Sequence, residues 1–175
     1  MTREGNIKWA KEIDAQRQGK TIQVQQVDGN WFDEPNPSFT EVITYRIKPE
    51  RYQEKVEAFA QEFQAKDAQG KPVEENGVPV VRPPVGGDAY ILARLWEFWP
   101  ILEFKRGESY RIHLSSTDWQ HGFSLQPTNI NISVHPGYEH VITLTPTGNG
   151  DFGIICNEFC GIGHHTMTGR IRVVD

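Results

Sequence analysis

From residue 88 onward, apolar positions recur in short runs of β-branched or alternating residues, the signature of strands with one buried face. The runs 90–98, 101–105, 109–115, 122–126, 129–134, 139–145, 151–155 and 168–174 all have this character. Gly107, Pro136-Gly137 and Gly148-Asn149-Gly150 punctuate them as turns. Short strands at this spacing predict an antiparallel β-sandwich. Before residue 88 the pattern changes. Segments 21–27 and 41–47 are further strand candidates, and 49–66 is predicted as an amphipathic helix with Tyr52, Val56, Phe59 and Phe63 on one face. That aromatic face is expected to pack on the sandwich. Residues 69–88 are rich in Pro and Gly, nearly free of pattern, and expected to be a linker or long surface loop. The expected organisation is therefore an N-terminal extension over 1–87 and a β-domain over 88–175.

A chain of 175 residues is long enough for its own core. Its formal net charge of −5 is mild and dispersed, as on an ordinary solvated surface. No basic cluster and no glycine-rich phosphate loop is present, so nucleic acid is not an expected partner. No segment offers the roughly 20 apolar residues that a membrane span requires. The run 90–102 is too short and contains Arg94 and Glu97, and residues 1–20 lack the apolar core of a cleavable signal peptide.

Candidate chemistry concentrates near the C-terminus. Cys156, Cys160, His164 and Met167 follow the spacing Cys-x3-Cys-x3-His-x2-Met, and the two cysteines are the only ones in the chain. Two cysteines four apart could equally be a disulfide, buried thiols or half of a zinc site. A thioether is an unusual zinc ligand, and a disulfide leaves His164 and Met167 unexplained. Two thiolates, an imidazole and a thioether suit copper.

A further imidazole is expected from elsewhere. His121 stands out, at the start of an apolar run after the polar turn Ser116-Thr117-Asp118-Trp119-Gln120. His113 is expected as a solvated strand residue, His135 as a turn residue, and His140 as a strand residue with no ligand neighbour. His165 is expected behind the ligands or exposed.

With these residues in hand, the stretch from about Ala89 to Val174 resembles the dinuclear copper A domain of cytochrome c oxidase subunit II. The resemblance rests on Asp118-x2-His121-Gly122-Phe123, followed by Ile155-Cys156-Asn157-Glu158-Phe159-Cys160-Gly161-x2-His164-x2-Met167. Gly122-Phe123 after the histidine, with Thr128-Asn129-Ile130-Asn131, leans toward the B-type oxidases. The resemblance implies a cupredoxin-like Greek-key β-sandwich in which the two ligand loops meet at one end. It implies two copper ions bridged by the sulfurs of Cys156 and Cys160. His121 and His164 would each terminate one ion, while Met167 and the backbone carbonyl of Glu158 would be weak ligands. The Glu158 carboxylate is a candidate magnesium ligand against subunit I in some members.

The implied role is electron transfer, from a c-type cytochrome to the haem of a haem-copper oxidase subunit I, with no oxygen-reducing site in this chain. Trp96 and Trp99 are candidates for electron uptake. Family members carry membrane helices before this domain, so the resemblance implies either a missing anchor or docking onto a membrane partner, at the periplasmic or extracytoplasmic face. The copper A domain of a nitrous or nitric oxide reductase, or a stand-alone soluble copper carrier, would use overlapping ligand sets.

Overall fold

The structure is a computed structural model that describes residues 22–24 and 42–175. Thirteen strands are described: β1 (Ile22–Val24), β2 (Val42–Arg46), β3 (Glu74–Glu75), β4 (Val78–Val81), β5 (Asp88–Arg94), β6 (Glu97–Trp99), β7 (Ile101–Lys105), β8 (Tyr110–Ser116), β9 (His121–Leu125), β10 (Asn131–Val134), β11 (Tyr138–Leu144), β12 (Gly150–Ile155) and β13 (Thr168–Val174). Hydrogen bonding runs β1-β2-β11-β8-β5 on one side and β4-β7-β13-β12-β9-β10 on the other, with β6 bonded to both β5 and β13 at the seam. The sandwich is mixed, not purely antiparallel as the spacing predicts: β5 lies parallel to β8, and β7 parallel to β13 and β4. The reason is topological. The chain leaves the first side through β6 and β7 and returns as β8, which therefore lies beside β5 in the same direction.

Alternation along each strand drives the closure. Ile91, Leu114 and Ile142 from one side meet Leu102, Phe123, Ile154 and Ile171 from the other in one continuous buried core. Phe98 and Phe123 meet edge to face at 5.7 Å, a preferred aromatic geometry. The run 90–98 is not a single strand: Leu95 and Trp96 turn the chain, so Arg94 pairs with Glu97 across a β5–β6 hairpin. This turn carries Trp96 toward one end of the sandwich, while Trp99 sits on the strand.

The helix α1 (Pro49–Phe63) begins with Pro at the position where a missing N–H is harmless, and it carries Glu50 in its first turn. Its buried residues Tyr52, Val56, Phe59 and Ala60 form one stripe. The Tyr52 hydroxyl donates to the Ile91 carbonyl at 2.9 Å, so the helix is pinned on β5. Lys55 reaches across to Glu139 of β11 at 3.1 Å.

Two further expectations need correction. Part of the segment 69–88 is ordered as the β3–β4 hairpin, and β4 pairs with β7 in the sheet. The available signal was Asn76-Gly77, both with positive φ (52° and 80°), the dipeptide that favours a tight hairpin turn. Nor is His113 a solvated strand residue. Its ring stacks on Tyr90 at 4.5 Å, and its nitrogens lie 2.7 Å from Glu139 and 3.1 Å from Asp88. Helix and neighbouring strands cover a sheet face that the alternation alone would leave in water.

Candidate metal centre

Two loops meet at one end of the sandwich. The first joins β8 to β9. Ser116 Oγ donates to the Trp119 carbonyl at 2.6 Å, and the Trp119 N–H donates to Asp118 Oδ1 at 2.6 Å. The loop so tightened delivers His121, the first residue of β9, with no exposed surface. His121 Nε2 donates to Asp118 Oδ1 at 2.8 Å. Its Nδ1 is buried and has no hydrogen-bond partner among the described residues. A carboxylate that holds one imidazole nitrogen leaves the other bare and oriented, the arrangement found behind metal-bound histidines.

The second loop joins β12 to β13 and carries the sulfur donors. Its neck is closed by the Cys156 N–H donating to the Met167 carbonyl at 3.2 Å. A 3-10 turn over His164–Thr166 follows, in which the Met167 N–H donates to the His164 carbonyl. Within the loop Cys156 Sγ lies 3.7 Å from Cys160 Sγ, and the two are free thiols. Cys156 Sγ is 3.2 Å from the Glu158 carbonyl oxygen. Cys160 Sγ is 3.8 Å from His164 Nδ1 and 3.7 Å from Met167 Sδ. One ligand atom each from His121, Cys156 and Cys160 lies within 4.8 Å of the others. The structure thus clusters His121, Cys156 and Cys160, with the Glu158 carbonyl against Cys156 and with His164 and Met167 against Cys160. His165 is exposed.

The donor set fits copper. Cys156, Cys160 and Met167 are buried residues, at 4%, 8% and 1% exposure, and soft sulfur ligands beside imidazole suit that metal. The orphaned Nδ1 of His121 is a lone pair that the fold has paid to desolvate, and a metal ion would satisfy it. Burial, followed by the neighbouring Cys156, pushes the Cys160 thiol up to about 11, so metal binding must displace its proton. Burial raises Asp118, but hydrogen bonds from His121 and from the N–H groups of Leu95 and Trp119 outweigh it and hold the carboxyl below its usual range. Asp118 therefore stays ionised behind His121.

The two tryptophans part company. The Trp96 indole N–H donates to the Cys160 carbonyl at 3.4 Å. Its ring lies so close over Gly163 that a Cβ there would overlap it. Trp99 packs beside Tyr52, Val56 and Leu92 under the helix and lies against the Arg94 guanidinium at 5.5 Å. Only Trp96 of the pair touches the ligand loop. The role of Asp118 went unassigned from the sequence, although its place three residues before His121 was the available signal. Around the centre, Trp96, Trp119, Phe159 and Ile162 are exposed by 39%, 62%, 81% and 84%.

No protein-family model matches the chain. Over 85 residues it is 38% identical to cytochrome c oxidase subunit 2 of Thermus thermophilus, covering 48% of this chain and 63% of that protein. It is 33% identical over 75 residues to a probable cytochrome c oxidase subunit 2 of Streptomyces coelicolor, covering 43% of this chain and 24% of that one. The chain thus spans less than two thirds of the length of these relatives. Among solved structures, a rusticyanin variant superposes over 75% of this chain and 97% of its own, with a TM-score of 0.50 at 16% identity. That likeness bears on the fold, which is cupredoxin-like.

Proposed function

We propose that residues 88–175 form a dinuclear copper A domain. On this reading the chain is the electron-transfer subunit of a haem-copper cytochrome c oxidase, taking electrons from a c-type cytochrome and passing them to the haem of subunit I. The observation that carries the reading is the pair of cysteine sulfurs 3.7 Å apart, with a ring nitrogen of His121 within 4.8 Å of both and His164 Nδ1 3.8 Å from Cys160. A single-copper carrier would need only one of the two thiolates. The sequence similarity to two subunit 2 proteins supports the oxidase over other proteins with such a centre. Gly122-Phe123 and Thr128–Asn131 support a B-type subclass.

Two copper ions held by this pair of thiolates would supply one-electron exchange with little geometric change. The chain's own residues make the site rigid and dry. Cys156, Cys160, His121 and His164 would hold the copper, with Met167 and the Glu158 carbonyl as weaker ligands. Asp118 fixes the ring of His121, and the loop neck between Cys156 and Met167 holds the donors in register. Trp96, against the Cys160 carbonyl, is the residue for electron uptake, since Trp99 faces the helix. No described helix is long and apolar enough to cross a membrane. Attachment at the extracytoplasmic face of the membrane would come through subunit I or an anchor outside these residues.

Copper stoichiometry with electron spin resonance tests the reading. Two coppers per chain sharing one unpaired electron, and a purple oxidised form, are expected, with the shared signal lost in Cys156→Ser and Cys160→Ser. One copper with a single-nucleus spectrum would sink it.

A further inference from the structure

The Asn157–Glu158 backbone lies directly on the start of β9. A Cβ on Gly122 would overlap the Asn157 side-chain oxygen, and it would stand 2.7 Å from Glu158 N and 3.0 Å from the Asn157 carbonyl carbon. Gly122 is fully within the fold, next to His121, and its backbone is not in the left-handed region. Its bareness is therefore a matter of space, not of φ. On the far side, Asn157 Nδ2 donates to Asn131 Oδ1 at 3.0 Å. Ser133 Oγ donates to Glu158 Oε1 at 3.4 Å. Asn131 and Ser133 belong to β10, which pairs with β9 so that Ser133 stands opposite Gly122 and Asn131 opposite Ser124. One hairpin thus offers a flat seat at Gly122 and two side-chain ties beyond it.

We propose that Asn157 is a positioning residue of the centre. Seated on the bare Cα of Gly122 and tied to Asn131, it sets the distance between the β9 ligand His121 and the Cys156–Cys160 segment. It thereby aims the Glu158 carbonyl, which lies 3.2 Å from Cys156 Sγ. The inference rests on the reading of that carbonyl as a ligand. The physical ground is that residues 157–159 make no ladder hydrogen bonds of their own, being outside every strand. With both Asn157 and Glu158 exposed, their height above β9 is set by this contact and these ties. Groups that orient a ligand without binding the metal typically change metal affinity by about 10- to 100-fold when removed.

The experiment compares Asn157→Ala, Gly122→Ala, Asn131→Leu and Asn131→Asp in the whole chain. With copper loaded, the optical bands, the reduction potential and the rate of copper loss to a chelator are read. Without metal, the alkylation rate of the two thiols is read. Asn131→Asp keeps an oxygen acceptor for the Asn157 amide and is expected to behave as the parent. The other three are expected to keep the fold by circular dichroism, shift the bands and potential, and lose copper at least about tenfold faster. Their metal-free thiols should alkylate faster as the loop lifts. Unmoved bands and potential in Asn157→Ala would overturn the proposal, as would equal effects of Asn131→Asp and Asn131→Leu. If the parent bound a single copper, the dinuclear reading would fall separately. The alkylation rates would then decide the interlock: parent-like rates in Asn157→Ala overturn it, and faster rates with Asn131→Asp unchanged support it.

Discussion

At the scale of single residues, the proposed ligand set divides by bond strength. A thioether held as a weak ligand would tune the potential more than it retains the metal. Met167→Leu is close to volume-conserving and is expected to cost less than about 1.5 kcal/mol of stability despite full burial. It should keep two coppers while shifting the potential and the optical bands. His164→Ala should weaken copper retention or admit water, whereas His165→Ala, on an exposed ring, should leave the spectrum nearly unchanged. The reverse result for the two histidines would mean that the ligand register is off by one. Gly163 has a different job, because its missing Cβ makes room for the Trp96 ring. Gly163→Ala should destabilise the chain by about 1–3 kcal/mol, the usual range for overpacking. Adding Trp96→Ala should recover much of that loss in denaturant titrations, since it removes the ring that the new methyl group meets.

At the scale of elements, β11 places two titratable groups in succession on opposite faces, as strand alternation requires. His140 shares a 3.0 Å hydrogen bond with Thr44 of β2, and its buried Nε2 has no partner among the described residues. Burial, then the nearby His135, lowers its pKa from 6.5 to about 4. The unfolded chain therefore binds this proton more readily than the folded one between those values, and stability falls as pH drops from 6.5 to about 4. At about 1.4 kcal/mol per pH unit the loss is ~3.5 kcal/mol at most. Unfolding free energies measured along this pH range should show the slope, and His140→Gln should flatten it. Glu139 acts lower. Burial raises its carboxyl, but hydrogen bonds from His113 and Lys55 outweigh that and hold it below the usual carboxylate range. Its contribution is complete above that range and is lost only at more acid pH, as the folded carboxylate protonates.

At the scale of the whole molecule, the helix and the centre are served by different faces. Tyr52 is fully buried against β5 and bonded to Ile91, whereas the ligands gather where the β8–β9 and β12–β13 loops meet. Tyr52→Ala should cost about 3–5 kcal/mol, as for other large aromatic truncations, while the copper spectrum of the folded fraction stays that of the parent. A changed spectrum would mean that the helix props the centre. The collar of Trp96, Trp119, Phe159 and Ile162 around the centre is apolar and exposed, so docking there draws little on charge steering. Electron exchange with a c-type cytochrome should change only a few-fold between low and high salt, and Phe159→Ser should slow it more than salt does. A steep salt dependence would mean that the partner meets a charged face instead.

Much of this was legible because it is local. Cys156, Cys160, His164 and Met167, four of the five donor residues on one loop, are spaced so that their chemistry shows without a fold. Alternation likewise exposes most strands, since a half-buried strand must repeat every second residue. Tertiary structure alone decided what depends on approach between distant segments. Periodicity assigns a side chain to a face of its own strand but does not say what covers that face. His113 was therefore expected in water, and the joining of β4 to β7 was hidden behind a patternless segment. The choice between Trp96 and Trp99 has the same origin, for the turn at Leu95-Trp96 sends Trp96 to the ligand loop and leaves Trp99 on β6 beside the helix. Gly122 and Gly163 are ordinary small residues in the sequence. They acquire meaning only where another backbone or ring comes too close for a Cβ, and that closeness is a property of the packed sandwich.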